Sequence, residues 1–334
     1  MTNPTPSNPL LETRELGKTF TPRRGMLARA GARLGLPLRA APSVYAVDGV
    51  SLTVARGEVL GLVGESGCGK STVGRMIAGL LPASRGSLHF EGKDITRAGV
   101  EHHLKIQMVF QNPYASLNPR QRIDGVIAEA AVHHGRVAPR DAAEFSAALL
   151  RKVGLDPSYG LRYPHQFSGG QRQRIAIARA LALDPEFIVC DEAVSALDVS
   201  VQAQVLNLFM DLRESRDLTY LFISHNLAVV EYIADRVAIM YLGRIVELAD
   251  TRSVFARPQH PYTQALIADA PRLGAEVAEH RPIKGELPSP LNPPGGCAFH
   301  PRCPHAMARC AVERPPLAQT ASGHWTACHL VAPA

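Results

Sequence analysis

Long apolar runs are missing from this 334-residue sequence, and none approaches the roughly 18 residues that a membrane-spanning helix requires. The opening MTNPTPSNPLLETRELGKTF has no charged stretch leading into an apolar core, so no secretory signal is expected. Charge of one sign is hardly in excess: 36 Lys and Arg against 30 Asp and Glu leave +6 and a pI near 9.1. Without a clustered patch, that balance gives no ground for nucleic-acid binding. Cysteine is sparse before position 297, where only Cys68 and Cys190 occur. Collagen-like, coiled-coil, disordered and small disulfide-rich classes are all excluded, and no internal repeat is visible. What remains is a chain that is 46% hydrophobic and 20% charged, able to bury a core and long enough for two or more lobes.

The Pro-, Asn- and Ser-rich residues 1–9 are expected to be loose. Residues 10–20, 45–54, 58–63 and 86–91 read as strands, as do EFIVC (186–190) and TYLFI (219–223). The pattern KSTVGRMIAGLL predicts a helix within 69–81, and Ala-rich 120–155 predicts a mostly helical lobe. Strands alternating with helices imply an α/β core with a parallel sheet. Segment 21–43 interrupts this order with Arg23, Arg24, Arg29, Arg33 and Arg39 and no acidic residue. It reads as a solvated loop insertion, with contact to anionic lipid headgroups as the alternative. Beyond about 257, proline rises and PIKGELPSPLNPPGG reads as an extended connector to a cysteine-bearing tail.

Gly64-Glu65-Ser66-Gly67-Cys68-Gly69-Lys70-Ser71 fits G-x-x-x-x-G-K-[ST], placed directly after the apolar run VLGLV and before a helical pattern. Glycines at those positions let successive backbone N–H groups turn onto phosphates, and the helix N-terminus adds partial positive charge. Lys70 is expected to reach the β- and γ-phosphates, with Ser71 on Mg²⁺ and Thr72 beside it in the nucleotide site. Asp191 follows an apolar strand, where a second Mg²⁺-holding carboxylate belongs, and Glu192 is positioned to polarise a water as general base.

Further along, Phe167-Ser168-Gly169-Gly170-Gln171 precedes the helical QRQRIAIARALALDP. With this peptide the sequence resembles the ATP-binding cassette family, whose signature is SGGQ. In the family's order Gln111 looks like the Q-loop, Ser195 to Asp198 the D-loop, and His225 the switch histidine. The resemblance implies a P-loop NTPase fold: a parallel-sheet core, an antiparallel β subdomain and a helical subdomain. It implies ATP and Mg²⁺ as cofactors, with Ser71, Gln111 and Asp191 around the ion and Glu192, His225, Lys70 and Gln111 in catalysis. Ser168, Gly169, Gly170 and Gln171 would bind the nucleotide of a partner cassette, Asp198 lying at that junction. With a single P-loop and signature in the chain, a second cassette is required. Phe20 matches the aromatic that stacks on adenine; Tyr45 is the alternative, and either could be packing.

Longer stretches narrow the resemblance: YAVDGVSL, QNPYASLNPR, SALDVSVQAQVLNL, HPYTQAL and GELPSPLNPPGGCAFHPRCP are similar to ATPase subunits of dipeptide and oligopeptide import systems, most like their second, F-type ATPase. This places a nucleotide-binding domain at 10–256, with its helical lobe at about 112–170, and an importer-type extension at 257–334. The implied partners are a D-type cassette, two membrane permeases and an external binding protein, with the chain peripheral on the cytoplasmic face of the membrane and no nucleic acid. The implied cycle closes the cassette dimer on ATP and reopens it after hydrolysis. Nickel or another small solute is the alternative cargo. A soluble nucleic-acid-linked cassette ATPase is the rival class, but Lys70 and Ser168 lie too near in the chain to enclose a coiled coil. Two departures from the family pattern are Ala193, where proline is usual after the base, and Asn226, where Asp is common. Loss of a fixed φ at Ala193 is expected to loosen that turn.

Cys297, Cys303, Cys310 and Cys328 follow C-x5-C-x6-C-x17-C, without the C-x2-C knuckle of structural zinc. Residue chemistry says only a four-thiolate metal site. The resemblance implies a [4Fe-4S] cluster; Zn²⁺, or thiols packed as small hydrophobes, are the alternatives. His102-His103 and His133-His134 lack metal-ligand spacing and read as surface residues.

Overall fold

The computed structural model describes residues 9–21, 43–97, 104–113, 117–269, 285–286, 288–321 and 323–331. Residues 1–8, most of the basic segment 21–43, and His102-His103 therefore lie outside the described residues.

Four strands, β1 (Leu11–Phe20), β2 (Val44–Val54), β4 (Arg85–Phe90) and β5 (Lys93–Asp94), form an antiparallel sheet in the order β2-β1-β4-β5. The larger sheet has eight strands. Its centre is β3 (Val59–Val63), β6 (Ile106–Val109), β7 (Phe187–Asp191), β8 (Thr219–Ser224) and β9 (Arg236–Tyr241), all parallel, in the order β9-β3-β8-β7-β6. Every residue of β3, β7 and β8 is buried, as strands covered on both faces demand, which explains their unbroken apolar runs. β10 (Arg244–Asp250) pairs antiparallel with β9.

Helix α1 (Lys70–Ile77) springs from β3. It is shorter than the pattern over 69–81 predicts. Gly79 takes φ 71° and the Leu80 and Leu81 amides fold back onto the Arg75 carbonyl, closing the helix end. The stretch read as mostly helical holds α2 (Ile123–His133) and α3 (Ala142–Lys152), and α4 (Gly169–Leu181) follows beyond it. Their apolar faces share one buried cluster with α5 (Val199–Arg216) and one face of the sheet, while α1 and the antiparallel sheet cover the opposite face. α6 (Leu227–Ile233) links β8 to β9.

The tail departs from the simple connector expected. α7 (Thr251–Ala256) and α8 (Pro261–Asp269) come first; the described residues of 285–296 then hold neither helix nor strand. After the short α9 (Ala308–Val312), β11 (Ala318–Ala321) and β12 (His324–Thr326) add to the main sheet beyond β10. The docking point is Glu247, fully buried on β10. Its carboxylate accepts hydrogen bonds from the Gln259 and His260 amides (2.8 and 2.9 Å), and His324 Nε2 of β12 lies 2.7 Å away. Burial pushes the Glu247 carboxyl up, but these partners outweigh it and hold it below the ordinary value. The tail borrows the core of the preceding domain. Phe299 packs against both Tyr241 and Tyr262, with ring centroids 5.3 and 5.4 Å away, and Trp325 joins the cluster beneath the antiparallel sheet.

Candidate functional site

In the order β3-β8-β7-β6, four parallel strands end on one edge, and each releases a functional segment there. The loop Gly64–Ser71 leaves β3, His225 follows β8, Asp191 and Glu192 close β7, and Gln111 lies just past β6. The C-terminal edge of a parallel sheet is where such folds place ligands.

Glycine is obligatory in two places of the loop. A Cβ on Gly64 would fall 2.2 Å from the Met240 carbonyl oxygen; one on Gly69, at φ 107°, would fall 2.2 Å from that of Ala46. Lys70 is buried, and its ammonium arches back over the loop, donating to the carbonyls of Gly64 (2.7 Å) and Glu65 (3.0 Å). Cys68 is buried below it; burial pushes its thiol up, against the pull of the Lys70 charge, so it packs as a small apolar group. Ser71 opens the helix beside Thr72 and donates its hydroxyl to Asp191 Oδ1 at 2.7 Å. Burial raises the Asp191 carboxyl, the Ser71 hydrogen bond and the Arg75 charge oppose this, and Glu192 next to it adds to the rise. A cation between Ser71 and Asp191 would relieve that cost.

Glu192 takes φ 50°, the left-handed region, which turns its side chain out of the strand's alternation. Gln111 Nε2 donates to Glu192 Oε2 at 2.9 Å, and His225 Nδ1 lies 3.2 Å from the same oxygen. Three residues read from separate motifs thus meet on one carboxylate. Ser195 braces them, donating its hydroxyl to the Glu192 carbonyl (2.9 Å) and standing 3.4 Å from Gln111 Nε2. Its amide also bonds that carbonyl at 3.1 Å, so the turn at buried Ala193 is tied without a proline. Asn226 Oδ1 accepts the Ala228 amide at 3.0 Å and caps α6, a task that Asp performs equally.

Ser168 caps α4: its hydroxyl accepts the Gln171 amide (3.3 Å), and the Gln171 side chain accepts the Ser168 amide (3.0 Å). Gly169 and Gly170 form the first turn, where a Cβ on Gly170 would come 2.3 Å from Val201 Cγ1 of α5. Asp198 occupies the N-cap position of α5 without a side-chain cap bond. Phe20 and Tyr45 lie at the paired ends of β1 and β2, 42% and 50% exposed; Lys18 Nζ sits 5.3 Å from the Phe20 ring centre. Both side chains are therefore exposed, with the Lys18 ammonium over the Phe20 ring. His133 and His134 make an edge contact with each other, in keeping with surface residues.

The cysteines of the tail come together. Cys297, Cys303, Cys310 and Cys328, all free thiols, line one narrow cavity of about 10 Å³ with His260 and Phe299 among its walls. Burial raises the thiols of Cys297, Cys303 and Cys328, and neighbouring cysteines add to the rise. His260 is 1% exposed, and its Nδ1 accepts the Tyr262 amide at 3.0 Å, so its proton resides on Nε2. That Nε2 is buried without a protein partner. Among the described residues, no group of three His, Cys, Asp or Glu side chains is arranged to hold a metal ion.

Two residues escaped the sequence reading. The Glu65 amide donates to Tyr262 Oη at 2.9 Å, and Arg302 Nη1 lies 3.0 Å from both Glu65 carboxylate oxygens. HPYTQAL and HPRCP carry them, but nothing in either peptide says which loop it touches.

A phosphate-binding loop, two carboxylates on a strand end and a capped glycine helix on a separate lobe define an ATP-binding cassette. Residues 47–195 match the family described as ABC transporter, and 246–310 match the oligopeptide/dipeptide transporter C-terminal region. The chain is 49% identical over 329 residues to the oligopeptide transport ATP-binding protein AppF of Bacillus subtilis, covering 96% of this chain and 97% of that one. It is 47% identical over 334 residues to the dipeptide transport ATP-binding protein DppF of Haemophilus influenzae, covering 98% and 99%. The solved structure of cbiO1 from Clostridium perfringens, part of the ABC transporter complex cbiONQ, shares the fold (TM-score 0.61, 24% identity, 75% of this chain and 92% of that one). So does the ADP conformation of MJ1267, an ATP-binding cassette of an ABC transporter (TM-score 0.59, 26% identity, 75% and 96%). The chain belongs to the ABC transporter family of ATP-hydrolysing subunits, in the group that carries the oligopeptide/dipeptide transporter C-terminal region.

Proposed function

We propose that the chain is the ATP-hydrolysing subunit of a membrane importer for dipeptides or oligopeptides, the cargo class that the names of its relatives carry. The observation that supports it most is the meeting of Gln111 and His225 on Glu192, beside the Ser71–Asp191 pair. Glu192 accepts the proton of the attacking water, Gln111 and His225 orient it, and Lys70 binds the transferring phosphate from the loop of Gly64, Glu65, Ser66, Gly67, Cys68 and Gly69. Ser71, Asp191 and Gln111 would hold Mg²⁺, which neutralises phosphate charge when bound. Phe20 is assigned to the adenine, with Thr72 at the phosphates.

The signature residues Ser168, Gly169, Gly170 and Gln171, with Asp198, act on the nucleotide of a second cassette, a related D-type subunit. Tighter ATP binding by the closed pair than by the open one moves two permeases, fed by an external binding protein. Among the described residues no helix is long and apolar enough to cross a membrane, which suits a peripheral subunit on its cytoplasmic face. The division assigned is a nucleotide-binding domain over 10–256, with a helical lobe at about 112–170, and an extension over 257–334.

For the tail we assign a [4Fe-4S] cluster to Cys297, Cys303, Cys310 and Cys328. What supports this reading is that the four thiols line one cavity together with the orphaned His260 Nε2 proton, which a cluster sulfur would accept. A bound cluster would cross-link four points of a tail that has no core of its own.

Purification with permeases and partner cassette, and ATP hydrolysis stimulated by peptide-loaded binding protein, tests the transport role. Stimulation by nickel alone, or recovery with nucleic acid in a salt-sensitive way, would overturn it. Iron and acid-labile sulfide at about four each per chain test the cluster. Zinc near one per chain without sulfide would replace it.

A further inference from the structure

The phosphate-binding loop is held from two sides, and one side is the cysteine-bearing tail. Arg302 precedes Cys303 and is nearly buried, its side chain 7% exposed. Its Nη1 lies 3.0 Å from both carboxylate oxygens of Glu65, the second residue of the loop, and 3.4 Å from Tyr241 Oη. Tyr262, also from the region after the cassette, takes the Glu65 amide proton on its hydroxyl. The Glu65 carbonyl receives the Lys70 ammonium. One residue of the loop therefore has its side chain, its amide and its carbonyl each committed, two of them to the tail.

Nothing in phosphate binding requires these contacts, because the loop amides and Lys70 supply that chemistry themselves. What they control is where the loop sits. Tyr241, Tyr262 and Phe299 pack edge-on to one another beneath the pair, leaving Arg302 little room to turn. On the other side, Cys303 faces the thiol cavity, and its amide bonds the His300 carbonyl. A displacement of Cys303 is thus passed to Arg302 through a single peptide unit, and from Arg302 to Glu65 through a part-buried ion pair.

We infer that Arg302 is a positioning residue of the nucleotide site: it fixes the phosphate-binding loop through Glu65, and by its bond to Cys303 it couples the state of the thiol pocket to nucleotide affinity. This rests on the nucleotide reading of the loop given above. By linkage the coupling is reciprocal, so nucleotide stabilises the occupied pocket to the same extent that occupancy tightens nucleotide.

The test uses the full-length chain, purified without oxygen and titrated with the fluorescent analogue N-methylanthraniloyl-ATP. Arg302→Gln weakens nucleotide about tenfold, within the usual span of coupling between sites. In the assembled transporter its KM for ATP rises by more than kcat falls. Arg302→Lys, which keeps the charge, recovers part of the affinity. Cys303→Ser weakens nucleotide to a similar degree, and the double variant is no worse than either single one, because both act through one chain of contacts. Emission from Trp325, the only tryptophan, reports from within the tail that each variant remains docked. Wild-type affinity in Arg302→Gln or in Cys303→Ser overturns the inference, as does strict additivity in the pair. Lys70→Ala is the separate control: if it binds nucleotide normally, the loop reading itself has failed. A wild-type chain without iron removes the cluster assignment but leaves the nucleotide comparison decisive.

Discussion

The Ser71 hydroxyl donates to the Asp191 carboxylate at 2.7 Å, joining two residues that are 120 positions apart and rise from the ends of different strands. In the function proposed above the pair holds a divalent ion, with one ligand on the helix that follows the loop and the other on the strand edge. Asp191→Asn keeps the hydrogen bond and removes the charge. Its expected phenotype is retained folding, with the Mg²⁺ concentration for half-maximal ATPase activity raised at least tenfold; an unchanged Mg²⁺ dependence would exclude Asp191 from the ion.

Glu192 receives Gln111 and stands beside His225, so its carboxylate is the shared element of the strand edge, proposed above as the general base. Glu192→Gln is expected to bind ATP with near-normal affinity and to lower hydrolysis by two to four orders of magnitude, the usual share of a general base. Single-turnover phosphate release measures it. Turnover within a factor of ten of wild type would assign the base elsewhere.

Lys70 loses its charge-assisted contacts to phosphate in Lys70→Ala. Such bonds contribute about 1.5–3 kcal/mol, so ATP affinity falls by roughly 10- to 150-fold. Calorimetric titration gives the answer directly.

Gly170 sits where α4 crosses α5, its missing Cβ leaving space for Val201. Gly170→Ala introduces a contact at 2.3 Å with a stiff β-branched side chain and costs about 1–3 kcal/mol. Val201→Ala in the same chain restores most of the lost stability. If the thermal midpoint of the double variant is no higher than that of Gly170→Ala alone, the close approach is not the cause.

Glu247 anchors the tail strand, and its carboxyl is held below the ordinary value of 4.5 by His324 and two amides despite full burial. The unfolded chain therefore takes up that proton at higher pH than the folded one. The stability contributed is complete above pH about 4.5 and is lost as pH falls through the lower folded value. His260, which meets the carboxylate through its amide, has its buried ring pushed down to about 4, so its own acid-linked loss is what a step persisting in the variant would point to. Acid titration followed by Trp325 emission should show undocking of β12 at low pH; in Glu247→Gln this acid step disappears, and its persistence would assign the transition to another group.

Much of what meets at the strand edge was legible because each part is local. The loop, the strand-end carboxylates, the SGGQ cap and the residues around His225 are contiguous peptides whose glycines, caps and apolar runs carry their own geometry. Buried strands such as Phe187–Asp191 and Thr219–Ser224 announce themselves by composition, since both faces must be apolar. The end of α1 was less legible: Leu80 and Leu81 continue the apolar pattern, yet Gly79 at positive φ stops the helix.

Sequence by itself therefore determined the family, the nucleotide chemistry and the identity of nearly every residue at the strand edge, because short-range stereochemistry and residue type suffice for these. Tertiary structure alone decided what the tail does. β11 and β12 are short and partly polar, without a periodic signal, and become strands only because β10 offers an unpaired edge and Glu247 a buried acceptor. The Arg302–Glu65 pair spans 237 positions, and two charged residues at that distance carry no mark of their partnership until the sheet brings them together.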